Sequence, residues 1–217
     1  MEYRKLIIAE DHPLIVKGLR CMLSGISNQM EIFETDSCAN LLSLVSKEEI
    51  GYCIADLNLL DGNSIDTIDN ILKLLPNTRV LVYTSFPGEL YAKRLFKIGI
   101  VGFLNKSAKE EEIKICLTKF LNDEFYLSQE FLPLIFQTAK KGGRTNVNPF
   151  DLLSTQELTV VEFIRQGLTT KTIAHKMGIM ANTIATYKRR AFQKLEIENV
   201  IQLEPLYQFH FGQKNEK

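Results

Sequence analysis

GYCIADLNLLDGNS, residues 51–64, is the stretch from which the architecture of this chain can be worked out. It begins with apolar residues, reaches a single carboxylate at Asp56, and then turns at Asp61 and Gly62. An apolar run that stops at an acid is typical of a buried strand with a functional group at its carboxyl end. In open parallel sheets, ligands bind at that end of the strands. An isolated Asp is more often a helix cap or a turn residue, so the neighbouring segments must decide.

Apolar runs and helical patterns alternate on both sides of this stretch. Five predicted strands cover residues 5–9, 30–33, 52–55, 79–83 and 101–104. The first helix starts at Pro13, with Asp11 or His12 as its cap, and has an apolar side formed by Leu14, Val16, Leu19 and Leu23. The other helices are predicted at 39–45, 65–75, 89–98 and 110–121. Alternation of this kind predicts an α/β fold, a doubly wound parallel sheet with helices on both faces.

Charged and hydroxyl side chains follow the predicted strands. They are Glu10, Asp11, Asp56, Thr84 and Lys106. Because parallel strands end at the same edge of a sheet, we expect these groups to converge. Carboxylates packed together repel each other, and a lysine or a divalent cation with oxygen ligands would offset that repulsion.

With these residues in place, the chain resembles the receiver domain of two-component response regulators over residues 4–122, and AEDHPLIVKGL is similar to the opening of the NarL/LuxR-type subgroup. The resemblance implies a (βα)5 flavodoxin-like domain over residues 1–124, with Asp56 as phosphoacceptor for a sensor histidine kinase. It further implies that Thr84 and Lys106 bind the phosphoryl oxygens. The implied Mg²⁺ ligands are Glu10, Asp11, Asp56 and the main-chain carbonyl of Asn58.

Some positions depart from that pattern or stay open. The family usually carries Pro four residues after the phosphoacceptor and Gly eight after, where this chain has Leu60 and Ser64. Phe103 lies where the family often has a switch aromatic, and a plain core aromatic fits that position equally well. Phosphatases of the haloacid dehalogenase type are excluded, because they need an acid where Asn58 stands.

The second half of the chain has a different charge. Residues 140–217 hold 12 Lys and Arg against 7 Asp and Glu, a net of +5, and residues 1–139 a net of −5. A basic domain can bind nucleic acid, although five charges alone could be chance. Residues 125–149 are predicted to be a linker, with a helix over 125–140 followed by a Gly- and Asn-rich segment.

Residues 150–217 are predicted to form a four-helix helix-turn-helix domain. Thr155 would cap a helix over 156–165, Thr170 one over 171–177, and the third would cover 184–195, opened by Asn182 or Thr183. The fourth would start at Val200 and be kinked or shortened by Pro205. The third helix has an apolar back and an Arg-, Asn- and Thr-rich front, and Lys188 at its apolar edge would have to snorkel. Such a helix can lie in the major groove or be a solvated basic face.

This half resembles the LuxR-type C-terminal domain over residues 153–203, through Glu157, Gly167, Lys171 and the pairs Thr183-Ile184 and Lys194-Leu195. The resemblance implies base contacts from Ala185, Thr186 and Arg189 and phosphate contacts from Lys171, Thr183 and Tyr187. The full candidate DNA-binding set is Lys171, Asn182, Thr183, Ala185, Thr186, Tyr187, Lys188, Arg189 and Arg190. Ala185 and Tyr187 replace the usual Lys and His, and Met180 replaces a capping Ser, which predicts a helix start at Asn182.

The composition of the chain argues against a membrane protein and a disulfide-bonded secreted protein. No apolar run approaches the roughly 20 residues that span a bilayer, and four isolated cysteines predict reduced thiols in a cytoplasmic protein. We therefore expect a DNA-binding transcription regulator that forms a homodimer, as members of the family do, contacts no membrane and is not an enzyme. A phosphorylation-independent regulator and a signalling protein that acts through protein partners remain alternatives.

Overall fold

The chain divides into two compact units, residues 1–139 and 140–217. The computed structural model describes residues 4–128 and 148–211 of them. The helix predicted over 125–140 therefore lies largely outside the described residues. Each unit is described by itself below.

The first unit is a parallel β-sheet covered by helices. Its strands and helices, in chain order, are β1 Arg4–Ala9, α1 Pro13–Ile26, β2 Met30–Thr35, α2 Cys38–Glu48, β3 Tyr52–Ala55, β4 Asn58–Leu59, β5 Gly62–Asn63, α3 Ile65–Leu74, β6 Arg79–Thr84, α4 Gly88–Ile98, β7 Gly102–Asn105, α5 Glu110–Leu121 and β8 Tyr126–Leu127. The main sheet has the order β2-β1-β3-β6-β7-β8, and β4 and β5 form a separate antiparallel hairpin. Every neighbouring pair in the main sheet is parallel, as the βαβ alternation predicts.

In most helices and strands the buried residues are those that the apolar pattern of the sequence predicts. All four residues of β3 are buried, and α5 buries the five apolar residues predicted for it. The prediction is wrong for Leu14, which is 83% exposed. The buried stripe of α1 is Val16, Leu19 and Leu23, and Leu14 lies about 200° around the helix from Val16.

The main sheet has six strands, where five were predicted. β8 pairs in parallel with β7, placing Tyr126 opposite Gly102 and Leu127 opposite Phe103. A Cβ atom at residue 102 would lie 2.7 Å from Leu81 Cδ1, so any other residue there would require the Leu81 side chain to shift. β8 occupies the start of the segment that was predicted to be helical. It was not predicted, because two residues are too few to show the alternation typical of a strand.

The second unit is all-helical. It contains a 3₁₀ turn Pro149–Leu152, then α6 Thr155–Arg165, α7 Thr170–Met177, α8 Ala181–Leu195, a 3₁₀ turn Val200–Gln202 and α9 Leu203–Phe211. Gly178, in the left-handed region at φ 64°, ends α7 and begins the turn to α8. The core includes Leu158, Val161, Ile173, Ile184 and Leu195. This is the predicted helix-turn-helix arrangement.

Four helix boundaries in this unit differ from the prediction. Ser154, not Thr155, caps α6, and Thr169, not Thr170, caps α7. α8 begins at Ala181, one residue before Asn182, and its N-cap Met180 makes no side-chain cap hydrogen bond. α9 begins at Leu203, after a 3₁₀ turn at Val200, where the helix was predicted to start. Pro205 does not interrupt α9, because it lies in the first turn, where its missing N–H has no intrahelical partner.

Glu157 ties α6 to α8. Its side chain accepts from the Ser154 N–H at 2.7 Å, while Ser154 Oγ accepts from the Glu157 N–H, which completes a capping box. Glu157 Oε2 also lies 2.6 Å from Lys194 Nζ of α8. Burial would raise the pKa of Glu157, but Lys194 and the Ser154 amide outweigh it, so this pKa is lowered.

We expect Glu157→Ala to destabilise the second unit by about 1–2 kcal/mol, the usual value of a helix cap with its reciprocal bond. Because the folded-state pKa is below the unfolded one, the carboxylate's contribution is complete above about pH 4.3 and is lost as pH falls through the folded pKa. Hydrogen exchange of the α8 amides in the full chain measures the effect. Glu198→Ala, at an exposed position, is the matched control, and equal exchange in both variants would contradict the prediction.

Candidate functional site

The carboxyl ends of the central strands bring the predicted polar side chains to one rim. Glu10 follows β1, Asp56 follows β3, Thr84 ends β6 and Lys106 follows β7. Lys106 Nζ lies 2.6 Å from Glu10 Oε2 and 2.8 Å from Asp56 Oδ2. Glu10 and Asp56 are only 4% and 5% exposed. One ammonium group therefore holds two buried carboxylates.

Burial and the ion pairs shift the proton affinities of this cluster. Burial raises the pKa of Glu10, against the opposing effect of Lys106, and the nearby Asp56 charge raises it further. For Lys106, burial alone would lower the pKa, but Asp56 and Glu10 together raise it. Lys106 is thus a fixed cation at neutral pH, held between the two carboxylates.

The oxygen atoms at the rim fit a hard divalent cation. Asp56 Oδ1 is a buried atom without a hydrogen-bond partner, which is costly unless something else compensates its charge. Ligand atoms of Glu10, Asp11 and His12 lie within 4.8 Å of one another. Of these, Glu10 and Asp11 offer the carboxylate oxygens that Mg²⁺ prefers, whereas His12 offers a nitrogen.

His12 is a neighbour that the sequence reasoning considered only as a helix cap. It is the N-cap of α1 but makes no side-chain cap bond. Its Nδ1 lies 2.8 Å from Glu10 Oε1 and 2.6 Å from Asp11 Oδ1. The phrase AEDHP already contained it beside the two acids, which was the signal available in the sequence.

Thr84 and Phe103 lie on the neighbouring strands β6 and β7. Thr84 is 1% exposed, and its Oγ1 accepts a hydrogen bond from the Phe86 N–H at 3.3 Å. Phe86 stacks on Tyr91 of α4, with ring centroids 5.1 Å apart. Phe103 is fully buried within β7. That burial places Phe103 in the core, and its part in switching stays a prediction.

A cavity of about 510 Å³ opens beside Glu10 and Asp11. Its walls come from α1, β2 and α2, and they include Pro13, Thr35 and Asn40. The rim is therefore reachable from solvent on the side of α2.

The candidate DNA-binding residues divide by exposure. The exposed ones are Lys171, Asn182, Ala185, Arg189 and Arg190. The partly buried ones are Thr183, Thr186, Tyr187 and Lys188. Lys188 lies over the Phe192 ring, 5.3 Å from its centroid, as the predicted snorkelling requires. Thr186 Oγ1 donates to the Asn182 carbonyl at 3.0 Å, so that hydroxyl is already partly engaged.

Comparison with known families supports both halves of this description. The family described as "Response regulator receiver domain" matches residues 6–118. The chain is a two-component response regulator. The family "Bacterial regulatory proteins, luxR family" matches residues 151–204, so this response regulator carries a LuxR-type DNA-binding domain behind its receiver. Receiver domains generally bind Mg²⁺ at an acidic pocket of the kind seen here.

Relatives of this response regulator match it along nearly the whole chain. The virulence transcription regulator BvgA of Bordetella pertussis is 27% identical, over 93% of this chain and 95% of its own. The Fimbriae Z protein of Salmonella typhimurium is 24% identical, over 94% and 95%. RcsB of Salmonella enterica, solved on promoter P1flhDC with phosphomimetic BeF3⁻, has a similar fold, with a TM-score of 0.66 at 23% identity over 94% of this chain and 97% of its own.

No helix among residues 4–128 and 148–211 is long and apolar enough to span a bilayer.

The matched families and relatives are regulators of transcription, and that is the class of protein to which this response regulator belongs.

Proposed function

We propose that Asp56 accepts a phosphoryl group from a sensor histidine kinase, and that this phosphorylation controls dimerisation and sequence-specific DNA binding. The observation that carries the proposal is the asymmetry of the Asp56 carboxylate. Its Oδ2 is held by Lys106 at 2.8 Å, while its buried Oδ1 has no hydrogen-bond partner. A fixed carboxylate with one available oxygen is arranged to act as a nucleophile.

In the transfer step an Asp56 oxygen forms a bond to phosphorus while the bond from phosphorus to the donor breaks, and the donor leaves with its electron pair. Mg²⁺, held by Glu10, Asp11, Asp56 and the Asn58 carbonyl, would supply charge neutralisation for the incoming phosphoryl group. Lys106 stabilises the charge on the phosphoryl oxygens. Thr84 Oγ1 can donate its proton to one of them while still accepting from Phe86, which draws the loop after β6 inward.

The same proposal assigns the parts of the chain. Residues 1–124 form the receiver, 125–149 the linker, and 150–217 the DNA-binding domain. The protein acts in the cytoplasm as a homodimer and catalyses no reaction on a separate substrate. The matched families support these assignments, and dimers on DNA are recorded for the structural relative RcsB.

On the DNA side, α8 enters the major groove. Ala185, Thr186 and Arg189 read base edges, with Asn182 beside them. Lys171, Thr183, Tyr187, Lys188 and Arg190 contact the backbone. Ala185 is exposed and short, so it can touch only a thymine methyl, and Arg189 carries most of the readout, with guanine as its expected partner.

Selection of bound sequences from random DNA tests the proposal, run with and without an acyl phosphate donor plus Mg²⁺. We expect a two-fold-related motif that is bound more tightly after phosphorylation. A motif bound equally with and without donor would favour the phosphorylation-independent regulator. That alternative is motivated by Leu60 and Ser64, which depart from the family's usual Pro and Gly. Absence of any motif would favour a protein that acts through protein partners.

Arg189→Ala should weaken binding to the selected motif by about 1–3 kcal/mol and relax the preference at one base position in each half-site. Arg189 is exposed on α8, so its removal leaves the core intact. Lys171→Ala is the comparison. Because Lys171 is proposed to contact a phosphate, its loss should weaken binding to all DNA sequences alike. The slope of log affinity against log salt concentration should fall in magnitude by about one. Competition binding at several salt concentrations separates the two effects. Unchanged base preference in Arg189→Ala would contradict the assigned readout.

A further inference from the structure

The segment that follows Asp56 is held at both ends by side chains of this chain. It runs as the β4–β5 hairpin, with Leu60 and Asp61 at its tip and Gly62 at φ 138°. Leu60 is 63% exposed, so apolar packing of the tip does little to fix the hairpin. Asn58, whose carbonyl is the proposed metal ligand, pairs with Asn63 inside it.

At the tip, Asp61 binds the start of α2. Its Oδ1 accepts from the Cys38 N–H at 2.7 Å and its Oδ2 from the Ala39 N–H at 3.0 Å. These are the first two amides of α2, which lack intrahelical partners and favour a negative charge. Burial would raise the pKa of Asp61, but these amides outweigh it and lower the pKa. The Leu60 N–H also donates to the Asp36 carbonyl at 3.0 Å.

At the base, Ser64 is bonded directly to the phosphoacceptor's own peptide. Its hydroxyl, on a residue that is 0% exposed, donates to the Asp56 main-chain carbonyl at 2.6 Å. The Ser64 N–H donates to the Leu57 carbonyl at 3.0 Å. A glycine at this position could not make the first of these bonds.

We propose that Asp61 and Ser64 are positioning residues, which hold the Asn58 carbonyl in place relative to Asp56 for cation binding and phosphoryl transfer. The inference rests on the proposed function of Asp56. Mg²⁺ requires near-ideal octahedral geometry, so a main-chain ligand on a short hairpin must be restrained. Leu60 leaves the tip without the rigidity of a proline, and the Asp61 carboxylate supplies the restraint through α2.

Calorimetric titration of the full-length protein with Mg²⁺ tests the inference. Asp61→Ala should weaken Mg²⁺ binding about tenfold, the usual effect of losing a group that orients a metal ligand. Ser64→Ala should weaken it in the same direction. The double variant should lose less than the product of the two factors, because both residues hold one hairpin. Asp69→Ala, which removes an acid from the outer side of α3, should bind as the unchanged protein does.

A second readout separates positioning from plain structural damage. The Mg²⁺ concentration for half-maximal phosphorylation by an acyl phosphate should rise about tenfold in Asp61→Ala, while the rate at saturating Mg²⁺ stays close to that of the unchanged protein. Hydrogen exchange should accelerate at the amides of residues 58–63 and stay unchanged in β1. If Asp61→Ala does not fold, Asp61→Asn, which keeps one acceptor oxygen, should show a smaller shift in the same direction.

A folded Asp61→Ala protein with unchanged Mg²⁺ affinity would overturn the inference, as would an unchanged affinity in Asp61→Asn if that variant alone folds. If the unchanged protein binds Mg²⁺ but is never phosphorylated, the proposed function fails, while a weakened Mg²⁺ affinity in Asp61→Ala would still support the role of the hairpin.

Discussion

Asp56→Asn should show no detectable phosphorylation by an acyl phosphate, and its DNA binding should no longer respond to the donor. Asparagine has the shape of aspartate but lacks the anionic oxygen that would bond to phosphorus. The substitution also removes one carboxylate from the rim and should weaken Mg²⁺ binding. Mass spectrometry of the intact protein measures the phosphoryl group directly.

The same variant should remain as stable as the unchanged protein or become slightly more stable. Glu10, Asp56 and Lys106 form a buried cluster with two acids and one base. Loss of one acid leaves a balanced pair, Glu10 with Lys106, which reduces like-charge repulsion. Asp69→Asn, at a surface acid paired with Lys73, is the matched control. Phosphorylation of Asp56→Asn at the normal rate would contradict the assignment of the phosphoacceptor.

Lys106→Met should destabilise the receiver by about 3 kcal/mol at neutral pH, the scale of a buried ion pair that loses one partner. The two carboxylates would then face each other with no cation between them. Phosphorylation should also slow about a hundredfold, because a preorganised charge for the phosphoryl oxygens is lost. Lys109→Met, at an exposed lysine nearby, should change neither quantity.

The stability deficit of Lys106→Met should depend on pH in a defined direction. Burial already raises the pKa of Glu10 in the folded protein, and loss of Lys106 should raise it further. A carboxyl with a raised folded-state pKa contributes stability below its unfolded pKa, about 4.3, and loses that contribution as pH rises through the folded pKa. The deficit should therefore shrink as pH is lowered from 7 towards 5, and denaturant unfolding at several pH values measures it. A deficit that grows on acidification would contradict this account.

The polar groups that meet at the carboxyl ends of the strands could be predicted from the sequence, because their meeting depends only on the topology of the sheet. Glu10, Asp56 and Lys106 each follow an apolar run, and parallel strands necessarily bring such positions together. Details that depend on a single side-chain contact could not be predicted. Ser64 was visible only as a departure from glycine, and its bond to the Asp56 carbonyl required coordinates.

Helix boundaries were misplaced for an equally local reason. Ser154 and Thr155 are adjacent hydroxyl residues, as are Thr169 and Thr170, and either member of each pair could cap a helix on composition alone. The structure selects the first of each pair. For Ser154 the deciding partner is Glu157, three residues on, which completes a capping box only from that position.

The short strand β8 attaches the chain that leaves the receiver to the edge of its main sheet. Leu127 lies in register with Phe103, and three residues beyond Phe103 the same strand β7 leads to Lys106. Because main-chain pairing joins β7 to β8, we expect a displacement of β7 to move β8 with it. The chain beyond Leu127 therefore starts from a strand paired directly with β7, the strand that is followed by Lys106 and its ion pair to Asp56.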